Sequence, residues 1–325
     1  MSASADITFR SMGSDVRLII EGALRPGSPS PAQAAEEQRR WIEHFAARLS
    51  RFRAESELSQ LNAMPAHEVH ASPLLRTAVS AGVWAAAYSD GLVDPTLVGA
   101  LERVGYASSH DGVEPVPLGL ALATAPPRMA ARAHPDSLWR TIEVDDARGV
   151  VRRPVGVQID TGGIGKGLAA DAVAYRLRDY TRFVVDCGGD IAVDGVGAQL
   201  QPVAVAVEHP LTGKTVHTLH LTGGGVATSG LNVRIWRTPG GGFAHHLLDP
   251  SNGEPVWSGL IGATALAPTA LEAETISKMA LLSGPQGARR ALAAHGGLIV
   301  HDDGTVELVG LWGAADDAIA CGVAA

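Results

Sequence analysis

The chain has 325 residues, with 26 lysines and arginines against 34 aspartates and glutamates, and a formal net charge of −8. Hydrophobic residues make up 46% of it, enough to bury a large core, which excludes global disorder. The acidic balance argues against nonspecific nucleic-acid binding, which needs a basic surface. The two cysteines, Cys187 and Cys321, are too few for a disulfide framework or a cysteine zinc site.

The N-terminal residues show no basic segment followed by an apolar stretch. We therefore expect no secretory signal and no lipid anchor, and a cytoplasmic location. No run of apolar residues approaches the roughly 18 that a transmembrane helix requires.

The first third of the chain predicts two short strands and then two helices. Residues 6–23 favour strands that are broken at 12–14. Residues 31–50 predict an amphipathic helix with Pro31 in its first turn. Residues 73–88 predict a second helix, which ends at a Ser-Asp-Gly turn.

The least regular part of the chain is 105–155, which is rich in Pro, His and Ala. We interpret it as a variable insertion around a short strand at 141–144, and its role is left open. The elements expected after it are a strand at 155–159, a glycine loop at 160–167, a helix at 168–180 and a strand at 182–186.

The last third of the chain predicts mostly antiparallel strands. Residues 202–243 have short strands with glycine-rich turns, and a strand at 260–267 precedes a helix at 269–283. Residues 297–311 form a predicted hairpin around Asp303-Gly304. The whole pattern indicates an α+β fold in one elaborated unit that spans residues 1–325.

The glycine loop from Asp160 to Gly167 has the composition of a phosphate-binding turn. Small residues let backbone N–H groups approach an anion, and the following helix N-terminus favours negative charge. The spacing matches neither a Walker A loop nor a Rossmann fingerprint, so a tight turn without a ligand stays open. The flanking Asp160 and Lys166 favour a ligand, because the two charges can bind opposite ends of a polar molecule.

Seven short motifs follow one another from about Met12 to Leu311. They are Met12-Gly13-Ser14, LSRFRAESELSQLN at 49–62, GLVDPT at 91–96, DTGGIGKGLAAD at 160–171, DCGGD at 186–190, ATSG at 227–230 and HLLDP at 246–250 with Gly253. Each motif alone is weak. The ordered series resembles the ApbE-type flavin transferases, the FAD:protein FMN transferases.

The resemblance implies a T-fold-related α+β domain with helices on a mostly antiparallel sheet. It also implies an enzyme that binds FAD and cleaves its pyrophosphate with magnesium. FMN would be transferred to a Ser or Thr hydroxyl of an acceptor protein, and AMP would be released. Some relatives instead hydrolyse FAD to FMN and AMP.

The resemblance further implies the residues of the site. His246 would be the catalytic-site histidine, and its neighbour His245 would be structural. Thr228 and Ser229 would either face the phosphates or cap backbone groups in a turn. The residues expected to contact FAD are Met12, Phe52, Leu92, Val93, Asp94, Asp160, Lys166 and Leu248.

The implied magnesium site departs from the family pattern. The family uses a carbonyl in the glycine loop, here Gly163, and an Asp and a Thr one helical turn apart, here Glu274 and Lys278. In one interpretation, Glu274 and Lys278 form an i, i+4 ion pair of about 0.2–0.5 kcal/mol and the metal site is lost. In another, the Lys278 ammonium replaces the metal, and in a third magnesium binds Glu274 while Lys278 turns away.

Three functions follow from these interpretations. The first is an FAD:protein FMN transferase. The second is an FAD carrier or sensor that has lost turnover, and the third is an FAD diphosphatase that uses the same site.

Overall fold

The computed structural model describes residues 3–238 and 240–310. Leu311, the last residue of the predicted terminal hairpin, and Cys321 lie outside the described residues. None of the described helices is both long and apolar enough to cross a bilayer.

Strands and helices contribute similar numbers of residues to the regular structure. In chain order they are β1 (Ser4–Ser11), β2 (Ser14–Ala23), β3 (Glu68–His70), β4 (Glu143–Asp145), β5 (Val150–Arg152), β6 (Tyr180–Cys187), β7 (Asp190–Asp194), β8 (Val203–Glu208), β9 (Thr215–Leu221), β10 (Gly224–Gly230), β11 (Ile235–Arg237), β12 (Phe243–His245), β13 (Leu260–Ala267), β14 (Gly297–His301) and β15 (Val306–Val309).

The helices connect and cover these strands. In chain order they are α1 (Pro31–Leu49), α2 (Glu57–Ala63), α3 (Pro73–Tyr88), α4 (Val98–Arg103), α5 (Leu118–Leu122), a 3₁₀ helix (Leu138–Thr141), α6 (Gly165–Arg176), α7 (Val196–Leu200), α8 (Ala270–Leu282) and α9 (Gly284–Leu292).

An eight-stranded sheet in the order β1-β2-β6-β7-β10-β13-β14-β15 forms the centre of the structure. Every neighbouring pair in it is antiparallel. The predicted α+β class is therefore confirmed. Within the irregular segment 105–155, strand β5 pairs with both β3 and β4 in a separate three-stranded sheet.

The two faces of the large sheet bury different partners. Val185 of β6 belongs to the hydrophobic cluster that includes Ala170 and Val173 of α6. Its neighbour Val184 belongs to the cluster that includes Val207 of β8 and Leu219 of β9. Because successive strand residues point to opposite faces, helices cover one side of this strand and the β8–β9 hairpin covers the other.

The predicted helices α1 and α3 are confirmed, and the local sequence explains where they begin. Ser30 accepts a hydrogen bond from Gln33 N, and the Gln33 side chain accepts one from Ser30 N, so α1 begins with a capping box. The Ser72 side chain caps α3 by accepting a hydrogen bond from Leu75 N. Each of the two helices has Pro at its first position.

Two predicted elements around the glycine loop are wrong. Residues 155–159 form no strand, because the Asn62 side chain satisfies the Ile159 backbone, donating to its carbonyl and accepting from its N–H, each at 2.8 Å. The strand nearby is β5, which ends at Arg152. Helix α6 begins at Gly165 rather than at 168, so the last residues of the predicted loop form its first turn.

Helices α6 and α8 are joined through each other's N-termini. The two oxygens of Asp171 on α6 accept from Ala270 N and Leu271 N, the first residues of α8, at 2.8 and 2.9 Å. In return, Glu274 on α8 accepts from Gly167 N of α6 at 2.8 Å. Each carboxylate thus satisfies orphan N–H groups and complements the helix dipole.

This crossing requires a glycine. A Cβ at Gly167 would lie 2.6 Å from the carbonyl oxygen of Ala270, closer than real Cβ contacts. A Cβ at Gly165, two residues earlier in the same helix, would meet no atom within 4 Å.

We expect Gly167→Ala to lower the free energy of unfolding by about 1–3 kcal/mol through overpacking, although alanine favours a helix. The matched control Gly165→Ala should leave that free energy unchanged or raise it by up to about 1 kcal/mol. Urea unfolding followed by circular dichroism measures both. Equal effects of the two substitutions would contradict the close approach of α6 and α8.

Candidate functional site

A cavity of about 820 Å³ opens where several loops and helix ends meet. Eleven of the residues predicted from the sequence line it. They are Met12, Phe52, Leu92, Val93, Asp94, Asp160, Gly163, Lys166, His246, Leu248 and Lys278.

Thr228 and Ser229, predicted either to face the phosphates or to cap a turn, are not among the residues that line this cavity. They lie on β10, where neighbouring side chains point to opposite faces. The Thr228 hydroxyl pairs with that of Thr264 on β13, at 2.9 Å. The Ser229 hydroxyl pairs with that of Ser277 on α8, at 2.8 Å. Both are used in packing.

The turn between β1 and β2 brings Met12 to the cavity wall. Met12 and Gly13 both have positive φ, 52° and 69°. A Cβ at Gly13 would lie 3.0 Å from Nη2 of Arg234, which also lines the cavity. The turn therefore needs glycine both for its conformation and to leave room for an arginine.

An aromatic group forms one part of the wall. Tyr106 stacks on Trp236 with ring centroids 5.5 Å apart, and Phe52 meets Tyr106 edge-on at 5.4 Å. The Arg51 guanidinium lies 4.1 Å from the Phe52 centroid and 4.7 Å from that of Tyr106. Arg51 also donates to the Tyr106 carbonyl at 2.7 Å, so the group is held firmly. Such a surface suits a planar ring system.

The loop at 92–96 is braced from within. Ser89 Oγ accepts from Val93 N at 2.9 Å. Asp94 Oδ1 accepts from Thr96 N and Thr96 Oγ1, at 2.7 and 2.6 Å. Burial raises the pKa of Asp94, and the Thr96 bonds oppose that rise. Asp94 therefore starts a turn and also lines the cavity.

Asp160 and Lys166, predicted to bind opposite ends of a ligand, each have a partner in the protein. Asp160 accepts from Gly162 N at 2.9 Å and lies 3.5 Å from Arg51 Nε. The Lys166 ammonium pairs with the buried carboxylate of Asp190 on β7. Both predicted residues nevertheless line the cavity.

Glu274 is fully buried behind the cavity wall, and both of its oxygens accept hydrogen bonds. Oε1 accepts from the Lys278 ammonium at 2.8 Å, and Oε2 accepts from Gly167 N at 2.8 Å. Burial raises the pKa of Glu274, as does the nearby Asp190, while the lysine ammoniums oppose the rise. The ion pair of the first interpretation is therefore present.

These contacts do not fit the magnesium site implied by the resemblance. Magnesium needs several oxygen ligands, whereas Lys278 offers none and its ammonium already lies against Glu274 Oε1, where it would repel a second cation. Gly163 lines the cavity beside Val93. Across residues 3–238 and 240–310, no cluster of three or more His, Cys, Asp or Glu is arranged to hold a metal.

The adjacent histidines have different surroundings. His245 is fully buried; its Nε2 lies 2.9 Å from the Val256 carbonyl, and its Nδ1 accepts from Leu247 N at 3.3 Å. His246 lines the cavity, and its buried Nδ1 has no hydrogen-bond partner among the described residues. The ring of His246 forms a hydrogen bond with the backbone of Arg234. Because Nδ1 is unpaired, Nε2 must be the ring nitrogen in that hydrogen bond. We therefore assign the proton to Nε2 and the free lone pair to Nδ1.

The electrostatics keep His246 neutral. Burial lowers its pKa well below 6.5, and the charges of Arg234 and Lys278 act in the same direction. A neutral imidazole with an unpaired ring nitrogen can accept a proton from a hydroxyl that reaches that nitrogen.

The sequence motifs did not reveal Tyr106 and Arg234 as cavity residues. Arg51 lies inside the motif at 49–62, so its position was a signal that could have found it. Tyr106 lies in the irregular segment, and Arg234 lies between two motifs. Arg234 forms no ion pair with the residues that the structure describes.

The comparisons with known proteins agree with the sequence motifs. The ApbE family profile matches residues 12–300, which is most of the chain. The chain belongs to the ApbE family.

Curated relatives carry the name FAD:protein FMN transferase. The one from Salmonella typhimurium is 31% identical over 142 residues, which cover 42% of this chain and 40% of that protein. The one from Vibrio cholerae is 25% identical over 272 residues, which cover 82% of this chain and 78% of that protein. The chain thus spans about 40% of the length of the first of these relatives.

Solved structures show the same fold. The ApbE protein from Thermotoga maritima has a TM-score of 0.75 and 24% identity, with 94% of this chain and 97% of that chain covered. The flavin transferase ApbE from Vibrio cholerae has a TM-score of 0.72 and 19% identity, with 95% and 98% covered.

We expect His245 to make stability depend on pH. Burial lowers its folded pKa to about 4, so the unfolded chain takes up a proton first as the pH falls below about 6.5. The free energy of unfolding should fall by about 2 kcal/mol from this residue between pH 7.5 and pH 5.

The variant His245→Gln, which keeps a side-chain donor for the Val256 carbonyl, should lose this part of the pH dependence. Urea unfolding at the two pH values measures it. If the free energy of unfolding changed equally with pH in both proteins, His245 would not be the source of this pH dependence.

Proposed function

We propose that this protein is an FAD:protein FMN transferase. It would bind FAD, cleave its pyrophosphate, transfer FMN to a Ser or Thr hydroxyl of an acceptor protein and release AMP. The observation that carries the proposal is the meeting of a neutral histidine, several cations and an aromatic surface in one cavity of an ApbE-family chain. The names of its relatives support the same activity.

FAD contains planar rings and a charged pyrophosphate, and the cavity has residues suited to each. Its volume of about 820 Å³ is at the upper end for small-molecule sites. The surface formed by Phe52 and Tyr106 suits a ring system. Lys166, Arg234 and Lys278 supply charge-assisted donors for a pyrophosphate.

In the proposed step the acceptor hydroxyl oxygen attacks the phosphorus on the FMN side of the pyrophosphate. A new P–O bond forms to the acceptor, and the bond from that phosphorus to the bridging oxygen breaks. AMP leaves with the electron pair of the broken bond, and His246 Nδ1 takes the hydroxyl proton. Positioning and charge neutralisation supply most of the acceleration in phosphoryl transfer.

The first experiment is a turnover assay on the purified chain. FAD is incubated with and without an acceptor domain that carries a flavinylation site, and AMP, FMN and covalent flavin are separated by chromatography. AMP together with flavin on the acceptor supports the transferase. AMP with free FMN alone indicates a diphosphatase, and FAD binding without AMP indicates a carrier or sensor; either result would contradict the proposal.

We expect His246→Gln to lower kcat about 10²- to 10⁴-fold with a smaller change in KM. In the unmodified protein the lowered pKa of His246 keeps the base neutral as the pH falls. Activity should therefore persist below pH 6.5 and decline only further into the acid range. A pH profile of kcat measures this, and an acid limb with its midpoint at or above 6.5 would contradict the role.

Arg234→Met should weaken FAD binding about 10- to 150-fold, the loss of one charge-assisted hydrogen bond. Riboflavin, which has no phosphate, should bind both proteins equally. Arg237→Met is the matched control, because Arg237 is exposed over Phe243 and does not line the cavity. Flavin fluorescence titration measures the affinities of the unmodified protein and the two variants for FAD and for riboflavin. An equal loss for riboflavin would indicate a structural role for Arg234.

A further inference from the structure

Two ion pairs at the polar wall of the cavity have the same orientation. Lys166 and Lys278 line the cavity, whereas their partners Asp190 and Glu274 do not. The two carboxylates are 1% and 0% exposed, and the two lysine side chains are 21% and 12% exposed. Each pair thus presents its positive end to the cavity.

Lys278 is fixed rather than free to swing. It lies one helical turn beyond Glu274 on α8, and Glu274 is itself held by Gly167 N. An ammonium has three N–H donors, and one of them is used by Glu274. The remaining donors belong to a side chain that lines the cavity.

Arg234 is a third cation at the cavity, and none of the described carboxylates forms an ion pair with it. The positive charge of Arg234 lowers the pKa of His246 and that of His110. Lys278 and Arg234 together bring two positive charges to one cavity.

We propose that Lys278 is a catalytic residue that takes the place of a divalent cation, so that this protein cleaves FAD without magnesium. The inference rests on the proposed function. As the P–O bond to AMP breaks, negative charge grows on the phosphate oxygens of the leaving group. The Lys278 ammonium stabilises that charge by hydrogen bonding and keeps all of its protons, so the step balances as written above.

The contacts of Glu274 support this substitution. Its Oε1 is bound by the ammonium and its Oε2 by the first turn of α6, so a second cation at this carboxylate would meet the like charge of Lys278. A preorganised charge in a site that excludes water needs no reorganisation during the reaction. The lysine is therefore already in the position where charge neutralisation is required.

The test measures AMP release from FAD, with the acceptor domain present, in EDTA and in added magnesium. The unmodified protein should turn over equally in both conditions. Lys278→Met should lose about 100-fold or more of kcat in both, with no rescue by magnesium. Lys214→Met is the matched control, because Lys214 is exposed in the β8–β9 turn and should leave kcat unchanged.

A double variant tests the exchange of lysine for metal directly. Glu274→Asp with Lys278→Thr restores the pair typical of the family, and its activity should require magnesium and be lost in EDTA. Flavin fluorescence titration in EDTA gives a readout apart from turnover. Lys278→Met should weaken the binding of FAD more than that of riboflavin.

The outcomes separate the two proposals. If the unmodified protein turned over with added magnesium but not in EDTA, the role of Lys278 would be overturned and the transferase activity would still be supported. Full activity of Lys278→Met in EDTA would do the same. No AMP in either condition would overturn the proposed function itself, and the role of Lys278 with it.

Discussion

The mutual capping of helices α6 and α8 is the interaction on which the polar side of the cavity depends. Asp171 and Glu274 each reach across to the first backbone N–H groups of the other helix. Both carboxylates need these donors because an ionised group in a dry interior is costly without partners. The contact is possible only because Gly167 lets the two backbones approach closely. Once Glu274 is placed in this way, it holds Lys278 at the cavity wall.

The second constraint is the placement of charge around the cavity. Burying a lysine alone would cost several kcal/mol, and pairing it with a carboxylate offsets much of that cost. Here Asp190 and Glu274 lie on the inner side of Lys166 and Lys278. The pairs are neutral overall, yet they present positive ends to the cavity, as a site for a polyanion requires. Arg234 adds a charge that no carboxylate among the described residues offsets.

Local sequence signals predicted the elements whose structure depends on nearby residues. The capping Ser and Pro before α1 and α3 specify where these helices begin, and the apolar spacing specifies which face is buried. The strand predicted at 155–159 was wrong, because the Ile159 backbone is satisfied by Asn62, which lies 97 positions away. No local pattern at 155–159 contains that information.

The same distinction applies to the site. By itself the sequence determined the ApbE family and the α+β class, and most of the site residues that it predicted line the cavity, because the chain contains an ordered series of motifs. Only the tertiary structure decided that Thr228 and Ser229 are used in packing, that His246 rather than His245 has a free nitrogen, and that Arg234 reaches the cavity. It also placed the Lys278 ammonium on Glu274, so that the two residues form an ion pair. The spacing of these two residues allowed a metal ligand or an ion pair, whereas the second contact of Glu274, with the backbone N–H of Gly167, joins residues more than a hundred positions apart.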